Sequence, residues 1–203
     1  MSELPPDRRS RKRQQTADHL VGIAFELFAR HGYGNVTMEQ IAAAADVAKG
    51  TLYNHFPVKE ALVRHRFHMD FGAVLPELLA RLQTLPDCAS RLREFVRLNA
   101  SYFEQHREYV GPYLRYRLGQ PINLPAAEGR SGLDRVYAQL LEAGQARGEI
   151  RRDLPLAHLT GYLVFLHLAC MVAWVQKPGS SLAQEFDTML DLFLTGALAE
   201  VSR

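Results

Sequence analysis

Apolar residues recur along this chain with the three-to-four spacing of helices, and no stretch alternates as a strand does. Leu20, Ile23, Ala24, Leu27 and Phe28 form one stripe, which predicts a helix from Thr16 to Arg30, with Gly32 following as its C-cap. Met38, Ile41, Ala42 and Ala45 stand at i, i+3, i+4 and i+7 and predict a short second helix from Thr37 to Ala45. Thr37 and Gln40 have the spacing of a capping box, and Glu39 places a favourable charge at that helix start. Asp46 is suited to a left-handed turn. A third helix, Ala48 to His55, follows at once, anchored by Val47, Leu52 and Phe56 and polar elsewhere.

Pro57 suits a first helical turn, because its missing N–H has no partner there anyway. The fourth helix then runs from about Val58 to Leu75 or beyond, carrying Leu62, Phe67, Phe71, Val74 and Leu75, and Pro76 is expected to kink or end it. Asp87 caps a helix from Cys88 to His106, and a short aromatic helix covers Tyr109 to Leu118. The following QPINLPAAEGR is too rich in Pro and Gly to stay helical and reads as a loop that can act as a lid. Ser131 starts a helix to Arg147, closed by Gly148. Two last helices, Leu156 to Val175 and Leu182 to Val201, are split by the breaker KPGS. The class is all-α, with about nine helices.

Composition sharpens this layout. With 203 residues and 47% hydrophobic content the chain has enough apolar mass for a real core. The net charge of +2 conceals a bias: residues 1–66 hold ten Lys or Arg against seven Asp or Glu, and the remainder is slightly acidic. Cys88 and Cys170 lie far apart and have no redox or metal spacing, which suits a reducing compartment. The early arginines lead into polar QQTADH rather than an apolar leader segment. The longest apolar stretch, Leu163 to Val175, falls short of the ~20 residues of a membrane span. These features point to a soluble, cytoplasmic protein with no membrane partner.

The polar side of the third helix carries Lys49, Thr51, Tyr53, Asn54 and His55, and Gly50 permits close approach of its backbone to another surface. The string IAAAADVAKGTLYNHFPVKEAL resembles the helix-turn-helix of the tetracycline-repressor (TetR) family of bacterial transcription regulators, closely so over about Thr16 to Leu62. Three positions depart from the family pattern: Asp46 where Gly is usual, Ala48 where Ser is frequent, and Val58 where Ser or Asn commonly caps. None of them removes a group that would touch DNA. The resemblance implies a three-helix reader over 16–56 and a helical body over 57–203 for ligand binding and dimerisation. Within the reader it implies that Lys49, Gly50 and Thr51 reach base edges, and that Thr37, Tyr53, His55 and Lys59 contact phosphates. The partners implied are a palindromic double-stranded DNA operator and a small-molecule effector.

The body's residues support that division. The Leu156 to Val175 helix is apolar nearly all round and needs cover on more than one side, which motivates a homodimer through the last two helices. Candidate effector contacts are Phe71, Phe95, Leu98, Tyr102, Tyr113, Tyr137, Phe165, His167, Cys170 and Trp174, although aromatic stripes at helical spacing also serve as plain core. Such a lining suits an apolar or aromatic effector. Residues 1–15 are Pro-rich and then crowded with Arg8, Arg9, Arg11, Lys12 and Arg13, which reads as a disordered basic arm able to meet phosphates. His65, His68 and Asp70 share helical spacing with metal sites, but no nearby cysteine completes one, and no nucleophile–base pattern or phosphate loop marks an enzyme. Neither a cofactor nor catalytic residues are expected. The other readings are a DNA-binding adaptor without effector and, behind it, a helical metal-dependent enzyme.

Overall fold

The computed structural model describes residues 8–119 and 132–197, and its described residues form nine α-helices. The loop expected at 120–130, Ser131 and the end of the last helix lie outside the described residues, as do residues 1–7 of the basic arm.

The first helix, α1 (Arg8–His31), begins eight residues before the apolar stripe suggests. Residues 8–15 are therefore helical, which corrects the expectation of a disordered arm there. Arg, Lys and Gln are good helix formers and extend a helix already nucleated by its packed end. Thr16 Oγ1 donates to the Lys12 carbonyl and Gln14 donates to Asp18, both one turn apart. A 3-10 turn at Tyr33–Asn35 follows Gly32, whose φ of 80° lets the chain reverse.

Helix α2 (Met38–Ala44) starts with the capping box intact: Gln40 N–H donates to Thr37 Oγ1 at 3.2 Å, and Thr37 N–H donates to Gln40 Oε1 at 2.8 Å. Asp46 takes the left-handed conformation, φ 51°, and turns the chain into α3 (Lys49–His55), which has Ala48 as an uncapped first residue. Met38, Ile41, Ala42 and Leu52 are buried against Leu20, Val21, Ala24 and Phe28 of α1 in one continuous core.

The fourth helix, α4 (Lys59–Gln83), continues through Pro76. Proline removes one backbone hydrogen bond, but Leu78 and Leu82 are buried beyond it, and α4 packs against α5, α6 and α7. It also packs on α1, so a single rigid element joins the reader to the body. The body comprises α5 (Cys88–Gln105), α6 (Arg107–Gly119), α7 (Gly132–Arg147), α8 (Leu156–Val175) and α9 (Leu182–Ala197). Asp87 caps α5 by accepting from Ser90 N–H at 2.7 Å, and Gly148 ends α7 with φ 75°.

At twenty residues, α8 is long and apolar enough to cross a membrane, which corrects the shorter reading of its apolar stretch. Its inner residues Leu159, Leu163, His167, Leu168, Met171 and Trp174 are buried where α6, α7 and α9 pack against it. The opposite stripe, His158, Tyr162, Phe165 and Ala169, is exposed.

Candidate functional site

Two places combine chemistry with access: the outer face of α3 and a cavity inside the body. On α3, Leu52 is fully buried and holds the helix to the reader, which leaves Lys49, Gly50, Thr51, Tyr53 and Asn54 exposed on the other side. A Cβ built on Gly50 would meet nothing within 4 Å, so the glycine lowers the surface without serving the packing. The Lys49 ammonium is 4.0 Å from Glu39 of α2, and the Tyr53 hydroxyl donates to the same carboxylate at 3.3 Å. Glu39 thus holds two of the polar groups expected to meet DNA. Thr37 is exposed at the start of α2, its hydroxyl oxygen occupied as cap and its proton left to donate.

His55 closes α3, half-buried and tilted against Phe56. Burial lowers its pKa, and the charges of Arg13 and His65 lower it further. Lys59 departs from its expected role. Its Nζ donates to the carbonyls of Tyr33 at 2.7 Å and Val36 at 2.8 Å and lies 4.2 Å from the Tyr33 ring centroid. Two of its three donors face inward, leaving one for a phosphate. The ammonium chiefly clamps the start of α4 to the segment that leads into α2.

The cavity has a volume of about 420 Å³ and lies between α4, α5, α6, α7 and α8. Phe67, Phe71, Val74 and Leu78 supply the α4 wall, at i, i+4, i+7 and i+11 of one helix face. Leu98, Tyr102 and Phe103 come from α5, Tyr113 from α6, and Val164, His167 and Leu168 from α8. Most of its polar lining is already engaged. Asp70 accepts from the Tyr102 hydroxyl at 2.7 Å and from Arg66 Nε at 2.8 Å; Arg117 faces Asp134 at 3.6 Å; Arg81 pairs with Glu94. His68 is held neutral by burial and by Arg64 and Arg117, its pKa lowered to about 4.

His167 is different. It has no exposed surface, stacks on Phe186 with centroids 4.3 Å apart, and has Nδ1 2.9 Å from the Tyr137 hydroxyl. Burial lowers its pKa to about 3, so the ring is neutral, and Nε2 has no hydrogen-bond partner.

Of the ten residues proposed from sequence as effector contacts, Phe71, Leu98, Tyr102, Tyr113 and His167 line this cavity. The other five do not. Phe95 and Tyr137 pack edge to face with each other, centroids 5.1 Å apart, behind the wall. The outer stripe of α8 carries Phe165, 62% exposed. Cys170 turns toward the Glu185 carbonyl, at 3.6 Å. Trp174 donates to the Ser180 carbonyl at 2.9 Å beneath the Arg107 guanidinium and pins the α8–α9 turn. Residue type alone does not tell one side of an all-apolar helix from another. Phe67, Val74, Leu78 and Phe103 also line the cavity, and nothing in the sequence marks them for it, since a cavity wall has the same periodicity as a plain core. The three presumptive metal ligands diverge: His65 pairs with Asp18 at 2.7 Å, Asp70 serves Arg66 and Tyr102, and His68 faces the cavity.

A short capped helix, a left-handed turn, a polar second helix and a separate cavity-bearing helical body define a helix-turn-helix transcription regulator. The family of bacterial regulatory proteins described as tetR matches residues 21–65. The regulator MftR of Mycobacterium tuberculosis, named for mycofactocin biosynthesis, is 34% identical over 92% of this chain and 93% of its own. The transcriptional repressor NicS of Pseudomonas putida is 28% identical over 79% of this chain and 76% of its own. Among solved structures, the TetR-family repressor FadR of Thermus thermophilus, in complex with lauroyl-CoA, superposes with a TM-score of 0.78 at 26% identity, over 92% of this chain and 97% of that one. The chain belongs to the TetR family and is a ligand-responsive, DNA-binding transcriptional regulator.

Proposed function

We propose that the protein is a cytoplasmic homodimeric repressor of a palindromic operator, released when a molecule with an extended apolar part, such as an acyl chain, enters the body. The observation that carries this reading is that α4 belongs to both sites. Its first residue, Lys59, clamps the segment before α2, and its Phe67, Phe71, Val74 and Leu78 form one wall of a cavity of about 420 Å³. That volume lies in the range of small-molecule sites, roughly 300–1,000 Å³. The lauroyl-CoA held by the Thermus thermophilus relative supports an acyl effector.

Lys49, Gly50 and Thr51 are assigned to base edges, and Thr37, Tyr53, His55 and the remaining donor of Lys59 to phosphates. In a dimer formed through α8 and α9, the exposed Tyr162, Phe165 and Leu192 are covered by the second copy. Two readers related by a two-fold axis meet successive major grooves only if they stand about 34–36 Å apart, so a ligand that displaces α4 changes operator affinity. An adaptor without effector would have no use for the cavity.

A mobility-shift titration of the DNA upstream of the protein's own gene tests the reading. A discrete complex dissolved by micromolar lauroyl-CoA, together with a dimer in sedimentation, is expected. A stable monomer, or a complex that lauroyl-CoA leaves intact, contradicts it.

A further inference from the structure

The residues lining the cavity differ in exposure from helix to helix. Those from α6, α7 and α8 are buried or half-buried, whereas Val74, Glu77 and Arg81 of α4 and Ser101 and Gln105 of α5 line the cavity and are also exposed. The way in therefore lies along the seam between α4 and α5. Among the described residues two polar contacts span that seam: the Tyr102 hydroxyl donates to Asp70 at 2.7 Å, and Arg81 pairs with Glu94. Val74 and Leu98 lie between them, in an interval roughly 12 Å long at the helical rise of about 1.5 Å per residue along α5. Toward the reader the seam is filled by Phe67, which packs edge to face on Tyr102 and Phe103 with centroids 5.4 and 5.6 Å apart. Both polar contacts can open at little cost. Asp70 keeps Arg66 Nε of its own helix at 2.8 and 3.0 Å, and Glu94 keeps Arg97 of its own helix at 2.6 Å. Neither carboxylate is left unpaired when the other helix moves off, and an unpaired charge is what makes the breaking of an enclosed ion pair expensive.

We propose that this seam is the door of the cavity, that the Tyr102–Asp70 and Arg81–Glu94 contacts are its latches, and that the ligand is an apolar chain that enters tail first and leaves a polar head in the mouth. This rests on the cavity being the effector site. The interior offers Phe67, Phe103, Val164 and Leu168 to a chain, while carboxylate, guanidinium, hydroxyl and amide groups stand at the mouth. A volume of about 420 Å³ has room for the chain but not for a bulky carrier as well, so the carrier stays outside. Entry parts α4 from α5, and α4 bears Lys59, whose bonds to the Tyr33 and Val36 carbonyls hold the reader. One helix is thus both the door and the switch.

Surface plasmon resonance of lauroyl-CoA on the immobilised full-length protein, without DNA, tests this. Removing both latches, in the variant Arg81→Gln with Tyr102→Phe, should raise the association and dissociation rates about tenfold each and change Kd by less than about threefold, because latches that close again around the ligand drop out of the equilibrium. Ser101→Trp, which adds bulk at the exposed edge of the mouth, should slow both rates about tenfold. Dodecanedioyl-CoA, which carries a carboxylate at the far end of the chain, should bind at least about a hundredfold more weakly than lauroyl-CoA, since that charge would enter an apolar interior. Rates unmoved in both variants, a Kd raised by faster dissociation alone, or equal affinity for the two thioesters overturns the proposal. If the double variant does not fold, Ser101→Trp and the two thioesters decide. The expected rates beside an operator complex that withstands lauroyl-CoA overturn only the effector reading. Release by lauroyl-CoA with unmoved rates overturns only the door, and no binding of lauroyl-CoA overturns both.

Discussion

Around Ile41 the chain leaves no space: Leu20, Val21, Ala24, Ile41, Leu52 and Leu62 have no exposed surface and meet over small alanines. Around Leu98, in the body, helices of the same apolar composition stand apart and leave about 420 Å³ open. The reader must hold α3 at a fixed angle to present Lys49 and Thr51, so dense packing serves it. A body that responds to a ligand must instead contain an incompletely filled interior, which is less stable but convertible. Joining the two, α4 carries tight reader contacts at one end and cavity wall further along.

The largest expected effect separates the two cores directly. Ile41→Ala should cost about 2–5 kcal/mol, as large-to-small changes in filled cores do. Leu98→Ala, which only enlarges an existing cavity, should cost about 1 kcal/mol. Urea unfolding of both variants measures the contrast, and equal losses would show that the body is as tightly filled as the reader. Next comes the clamp. Lys59→Met strips two charge-assisted hydrogen bonds from the Tyr33 and Val36 carbonyls and should lower stability by about 1.5–3 kcal/mol. Operator binding should weaken on every sequence alike, seen by mobility shift across operator variants.

Much of the reader was legible in the sequence because its elements are fixed locally. Thr37 and Gln40 cap α2, Asp46 makes the turn, and the spacing of Leu52 and Phe56 sets which side of α3 faces out. The body was legible as helices but not as a site. A helix apolar on all sides, such as α8, gives no sign that Phe165 faces out while His167 faces in. The family resemblance places Lys59 with the phosphate contacts, but in the free protein its ammonium finds carbonyls far away in sequence, which no local pattern encodes. Helix α4 does not end at Pro76, and residues 8–15 are helical, for one reason: packing and an existing nucleus carry helices past signals that would stop or leave unformed an isolated one.

Smaller effects sharpen the chemistry of α3. Lys49→Ala should change preference between operator variants by about 1–3 kcal/mol at a single base position, read by competition binding, whereas a uniform loss would place Lys49 on phosphate. The smallest expected effect is that of Glu39, whose carboxylate lies near Lys49 and Tyr53 in the free protein. Glu39→Gln should tighten nonspecific DNA binding by less than about 1 kcal/mol, the scale of exposed ion pairs, and a weakening would show that Glu39 itself contacts a base.

The central claim, that one helix couples the cavity to the reader, is tested most directly by calorimetric titration of lauroyl-CoA into the protein alone and into its operator complex. Linkage requires that the factor by which ligand weakens operator binding equals the factor by which operator weakens ligand binding. The account predicts equal factors well above one, falling toward one in Lys59→Met. Identical lauroyl-CoA affinities with and without operator would contradict it.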